Sequence, residues 1–300
     1  MILVFGGRHD PNIGVLADRL AARRIPFLDL RIGASGNPHL RIDLATRRLE
    51  IDGKAVTPDA CFSRHDVFLY PTENAAASDT AALNWYQAVR GWVASQPGIR
   101  IFNRRSSLSE VNKIGNLLAA EDCGLRIPQT VIDSRLVDPL TLKGQHIQKP
   151  VAGGEYTVLL GESVPDIGYP RFVQPRLERP EMRIYRIGAR LIGFRLDSPE
   201  LDYRRSQDVS LVPTEVPAAE GRALMRLCNR LDLDFAAADF MTDAAGRLIF
   251  LEVNSQPMFA AFDRVAGGAL SDAIIDHLSM AGEAEGASCP DGLSGVVGQR

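Results

Sequence analysis

The sequence is poor in cysteine and has no long apolar run. Its cysteines are far apart and form no Cys-x-x-Cys pair: Cys61, Cys123, Cys228 and Cys289. Neither a zinc site nor a dense disulfide framework is therefore expected. No stretch reaches the roughly 18 consecutive apolar residues that a membrane helix needs. The apolar start Met1–Phe5 is too short for a secretion signal and predicts a first strand. We expect a cytoplasmic protein with no membrane partner.

The chain also has little excess charge. A formal net charge of -3 and a pI near 6.0 argue against a protein whose task is to bind nucleic acid or an anionic membrane. The 300 residues are 45% hydrophobic and 24% charged, which is enough to build a sizeable core in two or three modest domains. Any phosphate binding is thus expected at a single site with its own cations rather than over a broad basic surface. The composition leaves a homo-oligomer open.

Two suggestive motifs are incomplete. Gly6 and Gly7 follow the first strand but lack the full Gly-x-Gly-x-x-Gly spacing of a dinucleotide site, which makes a nicotinamide-dependent role improbable. The run Ser63–Asp66 contains Ser, Arg, His and Asp, yet catalytic triads are assembled in space and rarely from chain neighbours. We interpret Arg64 and His65 as solvated loop residues, with the lining of an acceptor pocket as the alternative. The cysteines Cys61, Cys123 and Cys228 are interpreted as core residues.

The first hundred residues alternate between strands and helices, which predicts an N-terminal α/β domain ending near Phe102. Strands are expected at 2–5, 26–30 and 99–102, and helices at 13–23 and 79–94. Between them, Asp52-Gly53 separates two short runs at 48–51 and 54–56, and Asp-Gly favours a tight hairpin turn.

The next helix is predicted to span 107–121. Ser107 lies three residues before Glu110, which is the pattern of an N-terminal capping box, and Gly124 follows the expected end. Short β-rich runs come after it, at 130–132, 145–150, 156–160, 171–174, 183–187 and 190–195. A helix is expected at 217–231. The last twenty residues, 281–300, are rich in Gly, Ala and Ser and predict a disordered tail.

Two apolar runs at 235–241 and 248–253, joined at 243–246, predict a hairpin with a carboxylate on each strand. Asp239 lies on the first strand, and Glu252 lies on the second with Asn254 two residues later. Residues two apart on a strand face the same side. Such hard oxygen donors suit Mg²⁺, which takes one or two carboxylates together with substrate phosphates. One acid alone would more often be a solvated surface residue, but three convergent oxygens favour a site.

Upstream, Lys149 ends a strand and is followed by the pair Gly153-Gly154. Paired glycines allow backbone N–H groups to fold over phosphates, and a lysine beside them supplies a point charge. A glycine pair alone is more often a turn, and Lys113 alone is an ordinary surface lysine.

The order of these groups resembles the ATP-grasp superfamily, in particular the ligases that attach amino acids to ribosomal protein S6 or to glutamate. The resemblance covers residues 100–280, and Leu251–Asn254 is its most specific piece. It is carried by Lys113, Lys149 with the glycine pair, Phe172–Gln174, Glu181–Arg183, Asp239 and Glu252–Asn254. It implies an α/β fold in which an N-terminal domain, 1–102, precedes a two-part ATP-grasp domain, 103–280, with a lid at about 125–178.

The resemblance also implies residue roles. Lys113 and Lys149 would contact the ATP phosphates under the Gly153-Gly154 loop, and Asp239, Glu252 and Asn254 would hold Mg²⁺, with Mn²⁺ as a substitute. Gln174 to Leu177 would be a hinge whose backbone binds adenine. Pro175 lacks an N–H group, so Leu177 is the expected donor. Glu178 and Glu181 remain alternatives for the ribose hydroxyls.

A second resemblance is to ATP-grasp macrocyclases, which crosslink ribosomal peptides. It is carried by Glu181–Arg183 and by Leu201–Arg204, where Tyr203 stands in place of the usual tryptophan. Residues after Asn254 also lack the usual Pro and Gly. Arg183 and Arg204 would be catalytic. Arg183 would offset phosphoryl charge, and Arg204 would pair with the substrate carboxylate or with the departing phosphate, because a guanidinium binds two oxygens at once. A surface arginine is the alternative for Arg204.

The resulting hypothesis is an ATP-dependent ligase that joins a carboxylate to an amine or hydroxyl group through an acyl phosphate. The carboxylate and its acceptor would be amino acids or peptides, and the products would include ADP and phosphate. A regulatory or scaffolding module that binds ATP without turnover is the alternative.

Overall fold

The computed structural model describes residues 1–67, 75–106, 112–135, 144–152, 157–160, 168–198 and 209–280. These ranges form four sheets and six helices, numbered here in chain order. The predicted tail at 281–300 lies outside them. Among the described helices, none combines the length and the apolar character that a membrane crossing requires.

The first sheet is parallel and has the strand order β2-β1-β6-β7. Its strands are β1 (Ile2–Gly7), β2 (Phe27–Ile32), β6 (Ala60–Ser63) and β7 (Arg100–Ile101), and its helices are α1 (Pro11–Ala22) and α2 (Ala75–Ala94). Helix α1 begins after Asp10, whose carboxylate accepts a hydrogen bond from the Asn12 N–H, and Pro11 fits the first helical position. The alternation expected from the sequence is confirmed here.

A small three-stranded antiparallel sheet interrupts this layer; it is not given a number, and the second and third sheets below are the two larger ones that follow it in the chain. It consists of β3 (Leu40–Asp43), β4 (Arg48–Ile51) and β5 (Lys54–Val56). Asp52 and Gly53 join β4 to β5 with φ angles of 50° and 72°, so both adopt the left-handed conformation of a two-residue hairpin turn. The predicted Asp-Gly hairpin is therefore confirmed.

Helix α3 covers Lys113–Asp122, so the predicted start at Ser107 is wrong. Asn112 is the N-cap, and its side-chain oxygen accepts a hydrogen bond from the Gly115 N–H at 2.9 Å. Residues 107–111 lie outside the described ranges. The predicted end is confirmed, because Gly124 has a φ of 84°, a left-handed conformation that glycine adopts without strain.

The second sheet is antiparallel, with the order β10-β9-β11-β8. Its strands are β8 (Val131–Asp133), β9 (His146–Pro150), β10 (Val158–Leu159) and β11 (Arg171–Pro175). All four lie within the segment expected to form the lid. The described residues within 145–160 form strands β9 and β10. A continuous helix there would have been incompatible with a β-rich lid.

The third sheet carries the predicted carboxylate hairpin and has the order β14-β13-β12-β15-β16. Its strands are β12 (Glu178–Ile187), β13 (Arg190–Asp197), β14 (Ser210–Thr214), β15 (Phe235–Thr242) and β16 (Leu248–Asn254). One face packs on α3 and on α4 (Ala218–Arg230), burying Leu117, Ile184, Leu224, Phe240 and Phe250 in one core. The β15–β16 hairpin and helix α4 were both predicted.

The opposite face of this sheet shares a core with the N-terminal layer. The Phe62 ring lies edge-on to Phe235 at 5.6 Å and to Phe259 at 6.1 Å between centroids. Two helices that the sequence analysis did not predict, α5 (Ala260–Val265) and α6 (Ala269–Ser279), complete the core. For α6 the sequence does contain a helical pattern, because its apolar residues recur at helical spacing and Leu270, Ile274 and Leu278 are buried.

A buried polar network also joins the two layers, and it corrects the interpretation of Arg64 as a solvated residue. Arg64 is 2% exposed; its Nε donates to Asp10 at 2.8 Å and its Nη1 to the Pro257 carbonyl at 2.8 Å. The Asn12 amide oxygen accepts from the N–H groups of Phe259 and Ala260. The chain leaving β16 is therefore fixed to the N-terminal layer.

Two of the cysteines are core residues, as expected. Cys61 and Cys228 are buried, whereas Cys123 is partly exposed. Burial raises the thiol pKa of Cys61 to about 12 and that of Cys228 to about 11. Neither thiol has the low pKa of an activated nucleophile.

We expect Arg64→Ala to lower the free energy of unfolding by about 3–5 kcal/mol, because it leaves the buried Asp10 carboxylate without its cation. The matched control is Arg23→Ala. Arg23 forms ion pairs with Asp272 and Asp276 in which the side chains are about a third exposed, and its loss should cost less than about 1 kcal/mol. Urea unfolding of both variants measures the difference; equal losses would contradict a structural role for the buried pair.

Candidate functional site

The third sheet aligns charged residues across three neighbouring strands. Arg183 on β12 is paired in register with Asp239 on β15, and Asp239 is paired with Glu252 on β16. Side chains of paired residues on antiparallel strands project from the same face. The fold therefore sets a guanidinium and two carboxylates side by side, in a row that we call the charged row.

Arg183 and Asp239 form a forked ion pair at the buried end of the charged row. Arg183 Nε donates to Asp239 Oδ1 at 2.6 Å and Nη2 donates to Oδ2 at 2.7 Å. The two residues are 6% and 5% exposed. Burial raises the pKa of the Asp239 carboxyl, and the Arg183 guanidinium opposes that rise. The sequence analysis assigned separate roles to these residues and did not foresee the pair.

Glu252 is more accessible, and it is surrounded by cations. Its Oε2 lies 3.8 Å from Lys113 Nζ at the start of α3, and its side chain is 33% exposed. Asn254 Nδ2 lies 3.4 Å from Glu252 Oε1. Burial pushes the pKa of Glu252 upward, but Lys113, Lys149, the Asn254 hydrogen bond and Arg183 together outweigh this, and the pKa is lowered. Glu252 is thus held as a carboxylate.

Lys149 of the second sheet interacts electrostatically with the charged row. It lies on β9, with its Nζ 5.6 Å from the centre of the Phe172 ring, at a distance typical of a cation–π contact. Burial lowers the pKa of Lys149, while attraction to Glu252 and Asp239 opposes the lowering and repulsion from Lys113 adds to it. Three cations, Lys113, Lys149 and Arg183, therefore gather around two carboxylates.

The donors on the third sheet fit a magnesium ion. Asp239, Glu252 and Asn254 supply only oxygen ligands, and the Asn254 amide turns its nitrogen toward Glu252, which leaves its oxygen for another partner. Mg²⁺ requires about six oxygens in octahedral geometry and commonly completes the set with phosphate and water. The surrounding lysines suit the phosphates.

The connection between the second and third sheets contains the predicted hinge. Gln174 is 1% exposed, and its Nε2 donates to Thr130 Oγ1 at 2.9 Å. The Arg176 N–H donates to the Gln145 carbonyl at 2.8 Å, so this N–H group already has a partner within the protein. With Pro175 lacking an N–H group, Leu177 is the next backbone donor along the hinge.

The two glutamates proposed for ribose differ in placement. Glu178 is exposed at the start of β12, before an irregularity in the pairing with β15. Glu181 is buried, with Arg179 Nη1 3.7 Å from its Oε2, and it lies two residues before Arg183 on the same strand. Alternation along a strand puts Glu181 on the face of the charged row.

Three of the predicted site residues lie outside the described ranges. These are Gly153 and Gly154 of the loop after β9, and Arg204. The structure therefore leaves their predicted roles as predictions.

A small cavity of about 20 Å³ lies beside the end of β16, at the carboxyl end of β6. Ser63, Arg90 and Gln256 are among its lining residues. Gln256 joins the layers, since its Oε1 accepts from the His65 N–H and its Nε2 donates to the Tyr86 hydroxyl. Sequence reasoning missed this cavity, because its residues come from distant segments.

No family model and no curated protein sequence matches the chain. Solved structures do match over nearly its full length. The ATP-grasp ligase PsnB complexed with a minimal precursor has a TM-score of 0.74 at 21% identity, covering 92% of this chain and 98% of PsnB. Another PsnB structure, with a phosphomimetic variant of the precursor, also contains Mg and ADP.

Two further similar structures broaden the comparison. The macrocyclase MdnC from Microcystis aeruginosa MRC, bound with its precursor peptide MdnA, has a TM-score of 0.70 at 17% identity and covers 94% of this chain and 100% of MdnC. The VanG D-Ala:D-Ser ligase from Enterococcus faecalis has a TM-score of 0.55 at 15% identity, covering 92% and 98%. These structures match this chain over more than nine tenths of its length, and the chain has the ATP-grasp fold.

Proposed function

We propose that the chain is an ATP-dependent ligase that activates a carboxylate as an acyl phosphate and joins it to an amine or hydroxyl group. The observation that carries the proposal is the charged row with its lysines, in which oxygen donors for a metal and cations for phosphates meet between two sheets of an ATP-grasp fold. We also propose the domain limits 1–102 and 103–280, with the lid at about 125–178.

In this proposal the nucleotide lies between the second and third sheets. Lys113 and Lys149 contact its phosphates, and the loop carrying Gly153 and Gly154 closes over them. The Leu177 N–H donates to the adenine edge near Gln174. Glu181 accepts the ribose hydroxyls in preference to Glu178, because it shares a strand face with Arg183.

Asp239, Glu252 and Asn254 would hold Mg²⁺, or Mn²⁺ in its place, and the bound ion supplies charge neutralisation for the transferred phosphoryl group. The chain's cations supply the rest. Attack of a carboxylate on a phosphate brings like charges together, and preformed cations in a partly buried site offset that repulsion. We assign Arg183 and Arg204 to the charge that develops on the transferred and departing phosphate.

A peptide is the substrate class best supported by similar structures. PsnB and MdnC have been solved with precursor peptides, whereas VanG is a ligase of single amino acids. The described cavity beside Ser63 and Gln256 is small, so we place the peptide near Glu252, whose side chain is a third exposed. Either an amide or an ester product fits this chemistry.

The alternative is a module of the same fold that binds ATP for regulation and does not turn it over. A phosphate-release screen separates the two functions, using ATP with amino acids, dipeptides and any small peptide encoded beside the gene. Acceptor-dependent release of phosphate, with a product whose mass reflects loss of water, is expected for the ligase. ATP binding without release under any of these conditions would favour the regulatory module.

We expect Glu252→Gln to abolish turnover while leaving the thermal midpoint without nucleotide nearly unchanged. The amide keeps the size of the side chain but removes the negative charge that the metal requires. Asp197→Asn is a matched control, since Asp197 is an exposed carboxylate on the same sheet, 45% exposed beside Arg195, and should keep full activity. Full activity in Glu252→Gln would end the metal assignment.

Lys149 and Arg183 should have separable effects on kinetics. Lys149→Ala should raise the KM for ATP and also lower kcat, because Lys149 contacts phosphate in ground and transition states alike. Arg183→Ala should chiefly lower kcat, by on the order of 10² or more, as for other preorganised charge stabilisers.

Arg183→Lys keeps the charge but loses the fork, so only partial recovery is expected. Nucleotide affinity and single-turnover rates, measured separately for the three variants, test this division. If Arg183→Ala lost ATP affinity and kept its chemical rate, the charge-stabilising role would pass to Arg204.

A further inference from the structure

Arg183 holds the carboxylate that the proposed metal also requires. Both oxygens of Asp239 accept hydrogen bonds from Arg183, at 2.6 and 2.7 Å, in a pair almost wholly removed from solvent. Each of these oxygens keeps a second lone pair that a metal ion could use, but an ion bound there would repel the guanidinium beside it. Two cations therefore compete for one buried carboxylate.

The guanidinium is also supported from its other side. The Arg183 Cζ atom lies 5.2 Å from the centre of the Phe262 ring on α5, a distance at which a cation is attracted to an aromatic face. Asp239 and Phe262 together fix the position of the guanidinium. The fold therefore positions Arg183 beside Asp239, and a metal ion that binds Asp239 must overcome its repulsion from the guanidinium.

Glu252 has no forked partner among the described contacts. Lys113 approaches it at 3.8 Å through a single ammonium, the two side chains are 24% and 33% exposed, and Lys149 attracts it electrostatically. Partly exposed single contacts of this kind contribute little to stability, whereas buried forked pairs are strong. The two carboxylates of the charged row therefore differ: Glu252 is balanced by single ammonium groups and is more accessible, whereas Asp239 is held by a forked guanidinium.

We propose that Arg183 sets the metal affinity of the site by competing with the metal for Asp239. A bound metal would repel the guanidinium and weaken its hold on Asp239, so that Arg183 could turn toward phosphate charge. Metal binding and the weakening of the Arg183–Asp239 pair would be one exchange of partners, and a bound nucleotide would favour the exchange by offering Arg183 a new anion. This inference rests on the proposed assignment of Asp239 as a metal ligand.

The test is the affinity for Mn²⁺, measured by titration calorimetry with the full chain, alone and with saturating ADP. Arg183→Gln removes the competing charge and should bind Mn²⁺ at least about tenfold more tightly than the unaltered protein under both conditions. Arg183→Lys, which keeps a charge but no fork, should lie between them. The matched control is Arg195→Gln, because Arg195 makes a similar contact to Asp197 on β13, where both side chains are about half exposed, and its loss should leave the affinity unchanged.

An Mn²⁺ affinity of Arg183→Gln that is unchanged or weaker would overturn the proposal, provided that circular dichroism shows the native fold. If Arg183→Gln does not fold, the test uses Arg183→Lys, which should also bind Mn²⁺ more tightly than the unaltered protein. An Mn²⁺ affinity of Arg183→Lys no tighter than that of the unaltered protein would then overturn the proposal. The measurement needs no acceptor. A protein that shows the expected Mn²⁺ affinities but no ligase turnover would lose the proposed function and keep this inference.

Discussion

Two carboxylates in the interior of a sheet must be compensated by cations, and much of this structure serves that requirement. Asp239 receives a forked guanidinium on its own sheet, whereas Glu252 is balanced by lysines from other elements. One of those lysines, Lys149, comes from the second sheet, so the charge balance of Glu252 depends on both sheets.

The cations that balance these carboxylates are well placed for a second use. A nucleotide brings several negative charges, and a divalent ion brings positive charge that carboxylates bind more strongly than they bind an ammonium. If a nucleotide and a divalent ion bound together, the carboxylates could pair with the ion and the cations of the protein with the phosphates, with little change in the total charge of the site. A rigid support is needed for such an exchange, and the network of Arg64, Asp10 and Asn12 provides it by fixing the chain directly after β16.

Sequence reasoning found most strands because local patterns determine them. The Asp52-Gly53 turn and the hairpin of Asp239 and Glu252 depend on neighbours in the chain, and both were predicted. The described helix α3 begins after Asn112, whose side chain caps it, and the sequence pattern did not single out that cap. The Arg183–Asp239 pair and the buried Arg64 depend on segments about fifty residues apart or more. Such contacts follow from strand order and domain packing, which the residue pattern alone does not contain.

The central claim is that Asp239, Glu252 and Asn254 form the metal end of a nucleotide site. It is tested most directly by the anomalous scattering of Mn²⁺ in crystals grown with a non-hydrolysable ATP analogue. The account predicts one strong peak at about 2.0–2.2 Å from oxygens of Asp239, Glu252 and Asn254, with analogue phosphates completing its coordination. A nucleotide bound elsewhere, or an Mn²⁺ peak that contacts none of these residues, would contradict it.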